Sequence, residues 1–392
     1  MRMSRIVRAA AGGGLTLVMA TSLAACSSSG GTVESSSTST LPPLPPSIYA
    51  YVTLAGTGGN LGFGNHVVAV DVTPGSESVG SRFGVGTYPD AVALDGSMAY
   101  VANYTSNTVT PVDLATGKSL SPIPVGVGPA AIAISKRLDR AYVTDDGSAS
   151  TLGDTVTPID LKTRKTLPPI KVGAGPQGIA ITPDGLTAYV ANAGAIVAGQ
   201  TGPVGDTVTP LHLATATAGK AITVGNGPTG IAVTPDGGTV FVTNLDSLSV
   251  TPINVASNQA LAAIPVPGGP IAIVVARGYA WVVDTPSNSS PGNNIVPISV
   301  ASDKTGRPIP VKKGVQGIAV TPGDTTAWVT CLNSDVIQSI DLTTKRAGAT
   351  IPVPGGPFAI AIAARASGGG ASPGASQPGK SDRKKKGPST HT

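Results

Sequence analysis

Residues 177–228 read QGIAITPDGLTAYVANAGAIVAGQTGPVGDTVTPLHLATATAGKAITVGNGP, and their punctuation decides the fold. Gln177 to Thr182 is an apolar run, Pro183-Asp184-Gly185 is a turn signal, and Ala188 to Ala191 is a second short run of strand formers. Thr207 to Leu213 supplies a third run and Lys220 to Val224 a fourth. In Val224-Gly225-Asn226-Gly227-Pro228 the glycines permit positive φ and the proline ends the pairing, so the chain can cross to a new sheet. The stretch predicts four short antiparallel strands and no helix.

The unit recurs along the chain. An aromatic side chain in an Ala-Tyr-Val-Thr-like motif stands at Tyr51, Tyr100, Tyr142, Tyr189, Phe241, Trp281 and Trp328. A downstream motif like Val-Thr-Pro-Ile-Asp-Leu places its acid slot at Asp71, Asp113, Asp160, His212, Asn254, Ser299 and Asp341, with successive spacings of 42, 47, 52, 42, 45 and 42 residues. Crossings like the one at Val224 appear at Val125 to Pro129, Val172 to Pro176, Val266 to Pro270 and Val353 to Pro357. Four-stranded units at this period predict an all-β fold, a seven-bladed β-propeller of antiparallel blades spanning residues 48–364. The body opens on a second-strand motif at Ile48 to Thr53 and closes on an orphan first strand at Phe358 to Ala363. Pairing those two segments would complete one blade from both ends and hide two sheet edges.

Tyr-Val-Ala-Asn at Tyr100 to Asn103 and at Tyr189 to Asn192, with Phe241-Val242-Thr243-Asn244, resembles the YVTN β-propeller repeats of bacterial and archaeal surface or periplasmic proteins, also termed YncE-like. The resemblance covers residues 48–364 and implies a seven-bladed toroid. The Asn slot holds Leu54, Asp145, Asp284 or Cys331 in the other units, so a role specific to Asn does not run through every blade.

Composition agrees with such a fold. Of 392 residues 51 are Gly and 35 Pro, charged residues make up 12%, and 41% hydrophobic content is enough to fill a core of short strands joined by tight turns. The net charge of +5 belongs to the ends of the chain, because between residues 48 and 364 17 bases face 19 acids. A nucleic-acid footprint needs bases clustered on the folded body, so no nucleic-acid partner is expected.

The first 25 residues read as an export signal. Arg2, Arg5 and Arg8 precede a mostly apolar stretch from Ala9 to Ala25, and Leu23-Ala24-Ala25-Cys26 resembles the bacterial lipobox. That resemblance implies a mature chain starting at Cys26, its thiol carrying a diacylglyceryl group that holds the protein on the outer face of the cell membrane. Residues 26–47, rich in Ser and Pro, read as a tether with a stiff end at Leu41 to Pro46. Residues 365–392 carry Arg383-Lys384-Lys385-Lys386 after Gly-, Ser- and Pro-rich sequence and read as a disordered basic tail. With Cys26 lipidated, Cys331 has no partner for a disulfide.

In a propeller the loop joining second and third strands lies on the same face as the blade-to-blade crossing. Its lengths here are 13, 6, 11, 16, 6, 11 and 6 residues, so the variation in repeat length collects on one face, as binding insertions do. The binding-face residues expected from this are Phe63, Asn65, His66, Asn103, Tyr104, Asp145, Asp146, Asn192, Asp206, Asn244 and Asp284, facing a protein or glycan. Insertions that merely survive on a surface are the competing reading, since longer loops cost little closure entropy. The periodic aromatics and the acids Asp71, Asp113, Asp160 and Asp341 follow the repeat and read as packing residues. Asp145, Asp146 and Asp154 offer oxygens but match no calcium-loop spacing, so neither a metal nor another cofactor is expected.

Lactonases and streptogramin lyases resemble this chain in architecture and work through His, Glu or metal ligands in the central channel. The body contains only His66, His212 and Glu77 of those types besides its Asp residues, too few for an evident acid–base pair or zinc spacing. The reading that follows is a lipid-anchored binding or scaffolding module. The alternative is a propeller enzyme with His66 or His212 in the channel. No feature of the sequence sets an oligomeric state.

Overall fold

A computed structural model describes residues 46–56, 64–195, 202–286 and 292–365. The segment read as an export signal, Cys26, most of the segment read as a tether, Phe63 and the segment read as a basic tail lie outside the described residues. Seven antiparallel sheets form the blades of a ring, with no α-helix among the described residues. The innermost strands are Pro357–Arg365 in blade 1, then Pro89–Asp95, Pro129–Ser135, Pro176–Ile181, Pro228–Val233, Gly269–Ala276 and Val315–Val320 in blades 2 to 7. Each lies beside the inner strand of the next blade, and Pro357–Arg365 sits between those of blades 7 and 2, so the ring is closed.

Blade 1 is assembled from both ends of the body. Its order from the axis outward is Pro357–Arg365, Ser47–Leu54, His66–Asp71 and Ser78–Gly84. The first two pair antiparallel from Ser47 opposite Arg365 to Val52 opposite Ile360. Closure by the terminal strands, expected from the orphan segments, is what the structure shows.

The core lies between blades. Tyr51, Tyr100, Tyr142, Tyr189, Phe241, Trp281 and Trp328 are all buried, each on the second strand of its blade, and they pack with Val, Ile and Ala of the neighbouring sheets. In blades 3 and 7 the threonine that follows the aromatic and valine of the second strand also latches blades together. Thr144 accepts the Ala131 N–H at 2.8 Å and donates to the Gln177 carbonyl of blade 4 at 2.9 Å; Thr330 accepts from Gly317 at 2.8 Å and donates to the Phe358 carbonyl of blade 1. Thr144→Val keeps the shape and orphans the buried Ala131 N–H, so we expect it to destabilise the fold by about 1–2 kcal/mol. Urea denaturation with an unchanged slope and a lowered midpoint would register this.

The outer strands depart from the sequence reading. The expected fourth strand Lys220 to Val224 is two short pieces, Thr217–Ala218 and Ile222–Thr223, both paired with the third strand Val204–His212. Blades 2, 3 and 5 show the same break. The cause is proline at the centre of each of those third strands: Pro111, Pro158, Pro210 and Pro252 have no N–H for the outer neighbour. At these points the outer chain only donates, as Leu120, Leu167, Gly219 and Leu261 do to the respective proline carbonyls. Blades 1 and 7 carry Ala69 and Ser339 there and keep continuous outer strands, Ser78–Gly84 and Arg346–Pro352.

Candidate functional site

The blade crossings and the loops joining second and third strands do share one face, and backbone hydrogen bonds join them. The residue after the Asn slot donates its N–H to the carbonyl just before the inner strand: Ala55 to Gly356, Tyr104 to Tyr88, Asp146 to Gly128, Ala193 to Gly175, Leu245 to Gly227 and Leu332 to Gly314, at 2.8–3.0 Å. In blade 6 the Thr285 hydroxyl makes the corresponding bond to Gly269. This rivet draws the slot beneath the crossing.

Asn103, Asp145, Asn192, Asn244 and Asp284 therefore lie inside the blades, not on a surface. The Asn103 Nδ2 donates to the hydroxyls of Thr108 and Thr110, the Asn192 Nδ2 to Thr207 and Thr209, and the Asn244 Nδ2 to Ser249 and Thr251. Asp145 reverses the polarity on the same scaffold, its Oδ2 accepting from Thr155 at 2.8 Å and Thr157 at 2.7 Å. The crossing closes over each slot at a glycine. A Cβ on Gly126 would fall 2.2 Å from the Asp145 Cγ, so only glycine lets the chain pass. Burial raises the Asp145 pKa to about 6, against the lowering effect of the two hydroxyls and the Gly126 amide; burial likewise raises Asp284 to about 6. Cys331 fills the blade 7 slot as a buried thiol pushed up to about 12 by desolvation.

Tyr104 and Asp146 are buried too. The Tyr104 phenol donates to Asp146 Oδ2 at 3.3 Å across the blade 2–blade 3 junction, and its ring stands edge-on to Tyr88, with centroids 6.1 Å apart. Desolvation, then the carboxylates of Asp146 and Asp90, hold that phenol far above its ordinary pKa, so it stays protonated. Asp154 pairs instead with Lys171, so the three acids of this loop go to separate partners. Asn65 and Asp206 are exposed on the loop face, their carbonyls tied to Val85 and Val224. His66 opens the third strand of blade 1 and is half-buried, while exposed His212 ends the third strand of blade 4. Both imidazoles stand two strands out from the inner strands, away from the channel.

Sequence reasoning missed what rises from this face. Blade 3 extends its second and third strands to Arg140–Gly147 and Leu152–Asp160, and blade 4 to Thr187–Gly194 and Val204–His212, where loops were expected. Gly147 pairs with Leu152 and Gly194 with Val204, so both hairpins climb past the crossings. They stand side by side, since a Cβ on Gly202 would lie 3.0 Å from Leu152 Cδ1. At their feet Val127 is 51% exposed and at the edge Val204 is 39% exposed, two of the four exposed large apolar side chains among the described residues. The glycines at 147, 153, 194 and 205 were the available signal, because they allow the close backbone approach of the raised pairs.

No protein-family model matches the chain, and no curated protein matches it in sequence. Solved structures do match in shape. The chain is similar to hydrazine synthase of Kuenenia stuttgartiensis, at 23% identity and a TM-score of 0.61, over 69% of this chain and 88% of that one. It is also similar to a functionally unknown protein from Desulfotomaculum acetoxidans, at 15% identity and a TM-score of 0.65, over 81% of this chain and 99% of that one. A protein from Lactobacillus plantarum has 15% identity and a TM-score of 0.64 over the same shares. At these identities the likeness establishes a shared β-propeller fold.

Proposed function

We propose that the protein is a binding or scaffolding module of the cell envelope, a propeller of the YVTN-repeat type held outside the membrane by lipid on Cys26. Its loop-bearing face engages a protein or glycan. The observation that carries this reading is the inequality of the two faces. One is built of tight turns, closed by Asp side chains such as Asp113 and Asp341 that accept N–H groups two and three residues ahead. The other raises the paired hairpins of blades 3 and 4 with exposed Val127 and Val204 beside them, and exposed apolar groups on a rigid scaffold are what binding surfaces offer. The enzyme reading has lost the two histidines it depended on, which lie outside the channel.

Photo-crosslinking in the native membrane tests the assignment. A photoreactive side chain at Ser148 or Val204 should yield a discrete protein or glycan adduct, and one at Thr116 or Asn258 on the turn face should yield no such adduct. Adducts of equal yield from both faces would count against it. Cys26→Ala should release the chain from the membrane fraction; retention there would remove the lipid anchor.

A further inference from the structure

The turn face carries its own asymmetry of charge. On blade 3 the turn between first and second strands presents Lys136 and Arg137, with Arg140 just beyond, and the turn between third and fourth strands presents Lys162, Arg164 and Lys165. All but half-buried Arg140 are exposed. The acids nearby compensate only part of this charge. Asp139 pairs with Lys162 at 2.8 Å, Asp160 turns back onto the N–H and hydroxyl of Thr163, and Asp184 of blade 4 faces Arg137. Asp95 of blade 2 stands near Arg164, both acting on the Tyr100 phenol, and six bases against these four acids leave the blade 3 turns net positive.

Both ends of the folded body leave from this same face. Ser47 pairs with Arg365, the Arg365 guanidinium donates to the Leu114 carbonyl beside the third-to-fourth turn of blade 2, and Val72 of the blade 1 turn donates to Ile48. In sequence, Cys26 precedes the first of these ends and the basic run Arg383 to Lys386 follows the second.

The geometry points to a membrane-facing surface. The blade 3 turns bind the phosphodiester headgroups of anionic lipid, so the ring lies turn face down and the raised hairpins point away from the bilayer. The orientation in the cell rests on the lipid anchor proposed above; the affinity of the patch for lipid does not. Clusters of four to eight bases recognise anionic bilayers in this way, each base near the surface contributing about fivefold. Because exposed charges act within a Debye length, the contact is salt-sensitive.

The test uses a chain starting at Ser27, which lacks the lipid and retains every strand of the seven sheets. It should partition onto vesicles rich in phosphatidylglycerol and not onto phosphatidylcholine vesicles, and added salt should release it. Lys136→Gln, Arg137→Gln, Arg164→Gln and Lys165→Gln together should lower that partition at least tenfold with an unchanged melting temperature. Exchanging Lys for Arg and Arg for Lys at the same four positions should preserve binding and so separate charge from folding. Equal binding to both vesicle types, or full binding by the neutralised variant, would overturn the proposal. Loss of membrane anchorage in Cys26→Ala cells bears on the anchor alone, and the two failures are distinguishable.

Discussion

A chain ending at Gly356 is expected to lose its cooperative thermal transition altogether. The missing segment, Pro357–Arg365, is the inner strand of blade 1, and it buries Phe358, Ala359, Ile360, Ala361 and Ile362. Phe358 packs on Tyr88 of the blade 2 crossing with centroids 6.0 Å apart, its carbonyl accepts from Thr330 of blade 7, and the Ala359 N–H donates to Thr53. Burial of one Phe and two Ile contributes roughly 5–9 kcal/mol, as much as the whole net stability of many domains. Removal also bares the edge of Ser47–Leu54 and the flanks of blades 2 and 7, which invites aggregation. Calorimetry should show no folded baseline, and a truncated chain melting within a few degrees of the parent would refute the closure.

Asp145→Asn is expected to stabilise the protein at neutral pH. Asp145 is 2% exposed, and with its pKa raised to about 6 its ionised form is disfavoured in the fold relative to the unfolded chain, where the value is near 3.8. The sign follows directly. The group's contribution is fully present below pH about 4 and is lost as pH rises through 6, so ionisation costs about 2–3 kcal/mol above pH 6.5. Asparagine has no such cost, and at Asn103, Asn192 and Asn244 it already serves the same pair of hydroxyls through Nδ2. The variant should gain about 2–3 kcal/mol at pH 7.5 and nothing at pH 4. The turn carboxylates of Asp113, Asp160, Asp184, Asp236 and Asp341, lowered by hydrogen bonds from turn N–H groups and Thr hydroxyls, act oppositely and only below the ordinary carboxylate range. Urea titrations of both chains across this window would show the difference, and a constant offset at all pH values would contradict it.

The ring was legible because each aromatic of the second strand repeats at blade spacing, and because Ile48 to Thr53 lacked a first strand that Phe358 to Ala363 could supply. The slot residues were not read correctly as to place. Asn103 ends its motif where a loop begins, and alternation alone does not reveal that Gly86 of the crossing folds down on it. The clue was a correlation between strands. Thr108 and Thr110, Thr155 and Thr157, Thr207 and Thr209, and Ser249 and Thr251 stand opposite polar slots, whereas Leu54 pairs with His66 and Cys331 with Val336 in blades without such hydroxyl pairs. The third-strand prolines likewise marked the broken outer edges in advance. Tyr104 looked like a loop aromatic because the rivet that buries it is a backbone bond, which no side-chain pattern records.

Native-state hydrogen exchange read by mass spectrometry tests the closed ring most directly. Peptides covering 357–365 and 47–54 should exchange as slowly as the inner and second strands of blades 3 to 6, and should open together with them as denaturant is added. Fast exchange of 357–365 in an otherwise protected protein would mean an open ring, and the division into a loop-bearing face and a turn face would go with it.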